Sequence, residues 1–499
     1  MVDPFYITTA ISYPNGRPHI GHAYEAIAAD VIARFQRSRG RDVRFQTGTD
    51  EHGLKMTQAA RAEGSPPREY AERMSSIFND MCDKLNISYD RFIRTSEPDH
   101  YRASQAIWNA MAERGDLYLD RYEGWYSVRD EAFYGDEEIS DGEGGEKLSP
   151  QGTPVEWTAE ESWFFRLSKY QQPLLDHYAA NPDFIQPDSR RNEVLRFVEG
   201  GLTDLSVSRT SFDWGVPVPG APDHVMYVWL DALTNYLTGL GYPDGGELYE
   251  RFWPADVHLI GKDVVRFHAV YWPAFLMSAG LPLPRQVYGH GFMLVRGEKM
   301  SKSVGNVVDP FEMADLYGVD ALRYFLMREV TFGQDGSYSH EAIVNRANAE
   351  LSNSFGNLAQ RTLSMIFKNL GGVIPSSGET SDDRILLAAV NNVVDKELPD
   401  AFERFAFSQG IDAWLRAVFA CNAYVDAMAP WALRKSDPDR MAAVLGTLVV
   451  AVRKLATAIA PVVPESAQRI IDLIDSGLDG APIGQPTPLF PRLELGDAG

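Results

Sequence analysis

Residues 5–22 read FYITTAISYPNGRPHIGH, and their pattern decides the fold. Phe5 to Tyr13 are mostly β-branched and aromatic, the composition of a buried strand. Asn15-Gly16 and Pro18 end that run. Ile20, Tyr24, Ile27, Ala28, Val31 and Phe35 then recur at helical spacing up to Gly40. Residues 42–47 (DVRFQT) read as a second strand, and a second helix runs from about Leu54 to Ala62. Strand, helix, strand, helix at this spacing predicts a parallel sheet with crossover helices.

Further along the chain the pattern changes twice. Residues 116–215 carry acidic, glycine-rich loops (GDEEISDGEGGE) and many aromatics without clear alternation, which reads as an insertion of mixed strands and loops. The α/β pattern resumes with 225–230 (VMYVWL) leading into a helix, a strand at 256–260 (DVHLI) and another at 286–295. From about 340 onward the pattern is helical, over 340–369, 382–398, 402–428, 439–460 and 464–475. The apolar segment Leu445 to Val463 is interrupted by Arg453, Lys454 and Pro461 and reads as a buried helix, not a membrane span.

At 499 residues, the chain has room for several cores. Its net charge is −22, which argues against indiscriminate binding to nucleic acid or anionic membrane. The charge is uneven: residues 116–250 hold 9 basic and 26 acidic side chains, whereas 1–115 hold 15 of each and 251–340 hold 9 of each. The helical part, 341–475, has 13 basic and 16 acidic. A polyanion can therefore dock on near-neutral parts through local lysines and arginines. Cys82 and Cys421 lie far apart, so neither a disulfide framework nor a cysteine-rich zinc knuckle is expected. The N-terminus shows no secretory pattern, and a reducing cytoplasm fits.

Two clusters carry chemistry. His19-Ile20-Gly21-His22 stands where the first strand turns into its helix. A helix N-terminus presents N–H groups and partial positive charge to anions, Gly21 lets a ligand approach the backbone, and two imidazoles one turn apart can donate to phosphate. HxGH arises by chance about 0.02 times in such a chain, so its placement adds weight. Two surface histidines near a helix start would be the bland alternative. The second cluster is Lys299-Met300-Ser301-Lys302-Ser303, before Gly305-Asn306. Lysines on a glycine-flanked loop suit mobile clamping of phosphates; a bare KxxK would be a solvated turn.

Together these resemble the HIGH and KMSKS signatures of class I aminoacyl-tRNA synthetases. Residues 10–25 (AISYPNGRPHIGHAYE), 47–53 (TGTDEHG), 227–236 (YVWLDALTNY), 261–268 (GKDVVRFH) and 429–433 (APWAL) resemble the methionyl-tRNA synthetase family in order. The resemblance covers about 470 residues, and it points to the bacterial form without zinc knuckles or an appended dimerisation domain. It implies a Rossmann-type catalytic domain split into 1–115 and 226–340 around an insertion at 116–225, an all-α anticodon-binding bundle at 341–480 and a tail at 481–499. It also implies an ATP-dependent methionine–tRNA ligase, cytoplasmic and monomeric. Its partners would be L-methionine, Mg-ATP and initiator and elongator tRNA(Met), with no structural zinc and no membrane.

Residue by residue, the resemblance places methionine among Ala10, Ile11, Tyr13, Asp50, Trp229, Ala232, Leu233, Tyr236, Val264 and His268. Asp50 would pair with the substrate ammonium, and the Tyr13 hydroxyl and a His268 N–H would meet the thioether sulfur. Leu233 departs from members with proline there. ATP would meet His19, Gly21, His22, Gly261, Asp263 and Lys302, with Lys299 sharing the catalytic loop; Asp263 is also a plausible helix N-cap. Asn357, Arg361 and Trp431 would read the anticodon, although alone they read as an ordinary surface pair and a packed tryptophan. An insertion of about 100 residues is short for a hydrolytic editing domain. Competing readings are another class I synthetase (a cysteinyl enzyme would want zinc-binding cysteines), a non-catalytic synthetase-like tRNA-binding protein, and a small-molecule nucleotidyltransferase.

Overall fold

The structure, a computed structural model, describes residues 2–130, 132–142, 145–295, 298–299 and 307–495. The chain divides into two compact units. One comprises Met1–Ala29, Arg39–Asp83 and Ile87–His290, the other Asp30–Ser38, Lys84–Asn86 and Gly291–Gly499.

In the first unit, Pro4–Thr9 forms β1, Ile20–Ser38 forms α1 and Asp42–Thr49 forms β2. Tyr6, Ile7 and Phe45 are fully buried, as central strands of a two-faced parallel sheet must be. β1 stops at Thr9; of residues 10–13, expected to continue the strand, Ser12 alone pairs, in an isolated parallel bridge to Thr49. Leu54–Ala62 forms the expected α2. It is followed by α3 (Pro67–Lys84), β3 (Arg91–Arg94) and α4 (Pro98–Glu113). The insertion is built on a long antiparallel pair, β4 (Leu117–Ser127) and β5 (Glu156–Phe165). It then lends a short strand, β6 (Ile185–Gln186), to the edge of the parallel sheet. The α/β pattern returns with α5 (Val228–Thr238), β7 (Val257–Gly261) and β8 (Val287–His290).

The six strands lie in the order β3-β2-β1-β7-β8-β6, and every pairing is parallel. β1 pairs with β7 across some 250 residues of chain, Ile7 opposite Val257 and Thr9 opposite Leu259. The parallel sheet predicted from the opening residues is present, and with its mixed insertion it matches the Rossmann-type architecture that the resemblance implied.

The second unit begins where the sequence suggested one strand over 286–295. The chain instead forms β8, then β9 (Met293–Val295) in a separate small sheet with β10 (Glu298–Lys299) and Gly336–Tyr338. Gly291 marks the break: a Cβ there would lie 2.2 Å from the backbone of Gln334. α6 (Val319–Glu329) leads into a helical bundle. Its members include α7 (Asn357–Asn369), α8 (Phe407–Met428), α9 (Pro430–Ser436), α10 (Pro438–Ile459) and α11 (Pro464–Asp475). α10 is long and apolar enough to cross a membrane, yet Leu445, Leu448, Val452 and Leu455 are buried inside the bundle. α9 was not legible in the sequence, being a seven-residue helix started by Pro430 after Ala429 turns the chain left-handed at φ 41°.

A buried ion pair fixes part of this unit. The Arg323 guanidinium reaches Asp30 Oδ2 at 2.6 Å and donates to the carbonyls of Leu85, Pro461 and Val462. Neither Arg323 nor Asp30 touches solvent. Asp30→Ala leaves that guanidinium buried without its carboxylate, and a loss of about 3–5 kcal/mol is expected. The shift of the urea unfolding midpoint measures it; a loss below about 1 kcal/mol contradicts the role given to the pair.

Candidate active site

The chain leaves β1 towards β2 on one side and later returns through β7 on the other. Such a reversal opens a crevice outside the carboxyl ends of the central strands, where open α/β sheets bind ligands. The connections that follow β1, β2 and β7 carry residues 10–22, 50–53 and 262–268. The motifs on these three connections therefore meet at one edge of one sheet.

His19 and His22 stand at the start of α1. His19 Nδ1 accepts the Gly21 N–H at 3.1 Å, and His22 Nδ1 accepts the His19 N–H at 3.1 Å. Each neutral ring therefore carries its hydrogen on Nε2. The rings lie side by side, 3.9 Å between centroids, and His22 meets the edge of Phe78 at 5.1 Å. Two Nε2–H groups at the positive end of a 19-residue helix make a cradle for an anion.

After β2, the Asp50 N–H donates to the Ser12 carbonyl at 2.9 Å, which ties the two loops together. The Asp50 side chain is largely buried. Its Oδ1 accepts from the His52 N–H at 3.4 Å. Tyr13 donates its hydroxyl to the His52 carbonyl at 2.6 Å. The Ala10 N–H donates to Leu259 at 3.1 Å, which pins the loop holding Ile11 against β7.

α5 supplies an aromatic wall. The Trp229 ring lies flat on Phe267, 3.8 Å between centroids and 4° between planes, with His268 at its edge 6.1 Å away. Ala232, Leu233 and Tyr236 follow along α5 and are buried. Phe267–Tyr271 winds as a π-helix, a widened turn common at functional sites. Within it, His268 Nδ1 lies 3.0 Å from the Val264 carbonyl and His268 Nε2 lies 2.6 Å from the Tyr236 hydroxyl. A carbonyl only accepts, so Nδ1 donates, and Nε2 accepts from Tyr236. Burial lowers the His268 pKa to about 4, so the ring is neutral at physiological pH. The Tyr13 hydroxyl and the His268 Nδ1–H thus donate to the carbonyls of His52 and Val264.

Gly261 ends β7, and a Cβ there would come within 2.9 Å of the Asp263 carboxylate. Asp263 is exposed in the single turn Lys262–Val264, whose cap position belongs to Gly261, so the alternative N-cap role for Asp263 is not the one adopted. The motifs do not flag Glu25 or His290, which also stand here, 2.8 Å apart from Oε2 to Nε2. Burial raises the Glu25 pKa, and His290 opposes the rise. Glu25 lies three residues beyond His22, one turn along the same helix face, and that spacing is the signal in the sequence. Lys299 lies in β10, whereas Lys302 and residues 300–306 fall outside the described residues. Among the described residues, no cluster of His, Cys, Asp and Glu is arranged to hold a metal ion.

In the second unit, Asn357 opens α7 and is exposed, with Arg361 one turn on. The Arg361 guanidinium sits over the Trp431 ring at 5.5 Å and lies 4.0 Å from Asp426. Trp431 is 51% exposed, so it is not the packed tryptophan that composition alone suggested.

The family model for class I tRNA synthetases (M) matches residues 5–363, and that for the anticodon-binding domain of methionyl-tRNA ligase matches 374–487. The chain belongs to the methionyl-tRNA synthetase family. It is 56% identical to the methionine–tRNA ligase of Brucella suis over 98% of each chain. It is 54% identical to that of Mycobacterium bovis, again over 98% of each. A solved methionyl-tRNA synthetase from Mycobacterium tuberculosis, in complex with methionyl-adenylate, superposes with a TM-score of 0.95 at 54% identity, covering 98% of this chain and 100% of that one. The free form of the tuberculosis synthetase gives 0.88 at 50% identity and 99% coverage of both chains.

The neutral His268 of this synthetase makes a pH prediction. Near pH 7 the ring is uncharged whether folded or unfolded, so it is silent. As pH falls through 6.5, the unfolded ring takes up a proton that the buried ring refuses until about pH 4. Stability is lost across that window, by about 3 kcal/mol at most. The His268→Gln variant should therefore lose less of its urea midpoint between pH 7 and 4.5 than the wild type; an equal or larger loss contradicts the assignment.

Proposed function

We propose that the chain is a working methionine–tRNA ligase: it activates L-methionine with Mg-ATP and passes the methionyl group to the 3′-terminal adenosine of initiator and elongator tRNA(Met). The observation that carries the reading is the convergence at three adjacent parallel strand ends. Paired imidazoles at a helix N-terminus follow β1, a buried carboxylate follows β2, and a Gly-Lys-Asp turn follows β7.

The residues then divide the work. Asp50 accepts the methionine ammonium, and Trp229, Ala232, Leu233, Tyr236, Val264 and His268, with Ala10, Ile11 and Tyr13, wall its side chain. A neutral, apolar wall suits an uncharged thioether, and the stacked Trp229 and Phe267 rings favour an unbranched one. His19, His22 and the Gly21 backbone hold the phosphates. Gly261 and Asp263 take the ribose hydroxyls, and Lys299 and Lys302 take the charge that accumulates on pyrophosphate. A methionine carboxylate oxygen forms a bond to the α-phosphorus as the bond to the β-phosphate oxygen breaks, releasing pyrophosphate. The terminal hydroxyl of the tRNA next attacks the activated carbonyl, loses its proton and displaces AMP. No covalent enzyme intermediate is required, because positioning and charge stabilisation carry both steps.

Asn357, Arg361 and Trp431 read the anticodon by hydrogen bonds and stacking, and the exposed Trp431 face under Arg361 suits that task. The domain limits proposed from the sequence follow the same division: catalytic halves at 1–115 and 226–340 around the insertion, a bundle at 341–480 and a tail. The protein works in the cytoplasm as a monomer and needs no zinc.

Methionine-dependent ATP–pyrophosphate exchange tests the reading, repeated with cysteine, leucine and isoleucine. Exchange with methionine alone is expected; folded protein that gives none overturns the proposal. Asp50→Ala should lower kcat/KM for methionine at least 100-fold, equivalent to about 2.7 kcal/mol. Trp431→Ala should cut tRNA charging about 100-fold and leave exchange within about twofold. Equal loss of both steps contradicts the assignment of Trp431.

A further inference from the structure

A polar cluster adjoining the Asp50 turn has no part in the scheme above. Asp231, on α5, is fully buried. Its Oδ2 lies 2.7 Å from His52 Nδ1 and its Oδ1 lies 2.6 Å from His100 Nε2. Both imidazoles are buried as well. Burial alone would raise the Asp231 pKa, but His52 and His100 outweigh it and hold the carboxyl at about 2. An ionised carboxylate only accepts, so both nitrogens donate to it.

The outer side of each ring is also engaged. His52 Nε2 is 3.0 Å from the Tyr101 hydroxyl. That hydroxyl keeps its proton, its pKa pushed up to about 12 by burial and by Asp231, and donates to the ring. His100 Nδ1 is 2.9 Å from the Thr238 hydroxyl at the end of α5. Three separate pieces of chain thus meet on one carboxylate: the turn after β2, α4 and α5.

The placement of the cluster points beyond stability. A buried ionic group holds a fold no better than apolar packing of the same volume, but it fixes angle and register more strictly. His52 is two residues from Asp50, gives its N–H to the Asp50 carboxylate and takes the Tyr13 hydroxyl on its carbonyl. Asp231 lies between Trp229 and Ala232 in the sequence of α5.

We infer that Asp231 is a positioning residue for amino-acid selection: clamped between His52 and His100, it sets the Asp50 turn against the helix that carries Trp229, Ala232, Leu233 and Tyr236. This rests on the methionine-ligase reading above. In that reading Asp50 holds the ammonium while α5 walls the side chain, so the spacing between them sets which side-chain length fits. A loosened clamp weakens methionine binding and blurs length selection, while the nucleotide half of the site, built on α1 and β7, is untouched.

Asp231→Asn keeps the volume but offers an N–H to one of two N–H donors. Methionine binding by equilibrium dialysis, which needs no turnover, should weaken at least tenfold. In pyrophosphate exchange the methionine KM should rise likewise, with the ATP KM and the kcat at saturating methionine within about twofold of wild type. The preference for methionine over its ethyl homologue ethionine should fall severalfold. A second pair keeps the inference testable where Asp231→Asn does not fold. His100→Gln retains a side-chain N–H for the carboxylate and should restore most of the affinity that His100→Leu loses. Unchanged methionine affinity in Asp231→Asn, parallel rises in the methionine and ATP KM, or equal affinities for His100→Gln and His100→Leu would each overturn the clamp. A wild type that binds methionine without exchange activity sinks the ligase reading alone.

Discussion

Everything at the site depends on β1 pairing with β7. Ile7 faces Val257 across some 250 residues of intervening chain, and Tyr6 and Asp256 reinforce the join. The Tyr6 N–H donates to the Asp256 carboxylate at 2.8 Å and the Asp256 N–H returns to the Tyr6 carbonyl at 2.9 Å. A buried hydrogen bond between the Thr8 hydroxyl and His258 Nδ1, 2.8 Å long, adds a further tie. Because the two strands are parallel neighbours, the loop after each emerges on the same edge. That one register converts motifs at residues 10–22 and 261–268 into a single crevice. A slip by one residue would turn every side chain on β7 to the other face of the sheet.

Around this join the chain places chemically distinct halves. The part at the start of α1 is backbone and imidazole on a helix N-terminus, and it suits anions. The wall formed by α5 and the turn after β7 is aromatic and uncharged. His258 and His268 are both kept uncharged by burial, with Tyr236 stacked on His258 at 4.0 Å and hydrogen-bonded to His268. A charged imidazole in that wall would favour polar or anionic side chains. Kept neutral, a wall rich in histidine suits an apolar group, as the proposed function requires.

Much of this was legible in the sequence, and the parts that were not share a physical reason. The strand, turn and helix at 5–38 announced themselves because a buried strand and an amphipathic helix have different periods. α2 ran where its apolar spacing placed it. The insertion resisted reading because β4 and β5 mix exposed Leu119 and Trp157 with buried Phe165, so no clean alternation marks a face. The split between β8 and β9 was hidden because 286–295 reads as one extended segment, in which the close backbone approach at Gly291 makes the break. In the bundle, 382–398 and 402–428 looked like single helices. The chain instead passes through a π-turn at Val393–Glu397 and breaks at Phe405, whose φ is 57°. The anticodon trio was named only through family resemblance; the contact of Arg361 with Trp431 joins side chains 70 residues apart, which no local pattern can foretell. Net charge misled least once divided: 17 of the 22 excess negative charges fall within residues 116–250, whereas 341–475 carry an excess of only three.

The central claim is that one edge of one sheet does the chemistry. Hydrogen exchange of the backbone, followed by mass spectrometry with and without a non-hydrolysable methionyl-adenylate analogue, tests it directly. The account predicts strong protection in segments 10–25, 47–53, 227–236 and 261–268, with the exposed surface around Trp431 unchanged. Protection concentrated in the insertion or the helical bundle, with those four segments unaffected, would contradict it.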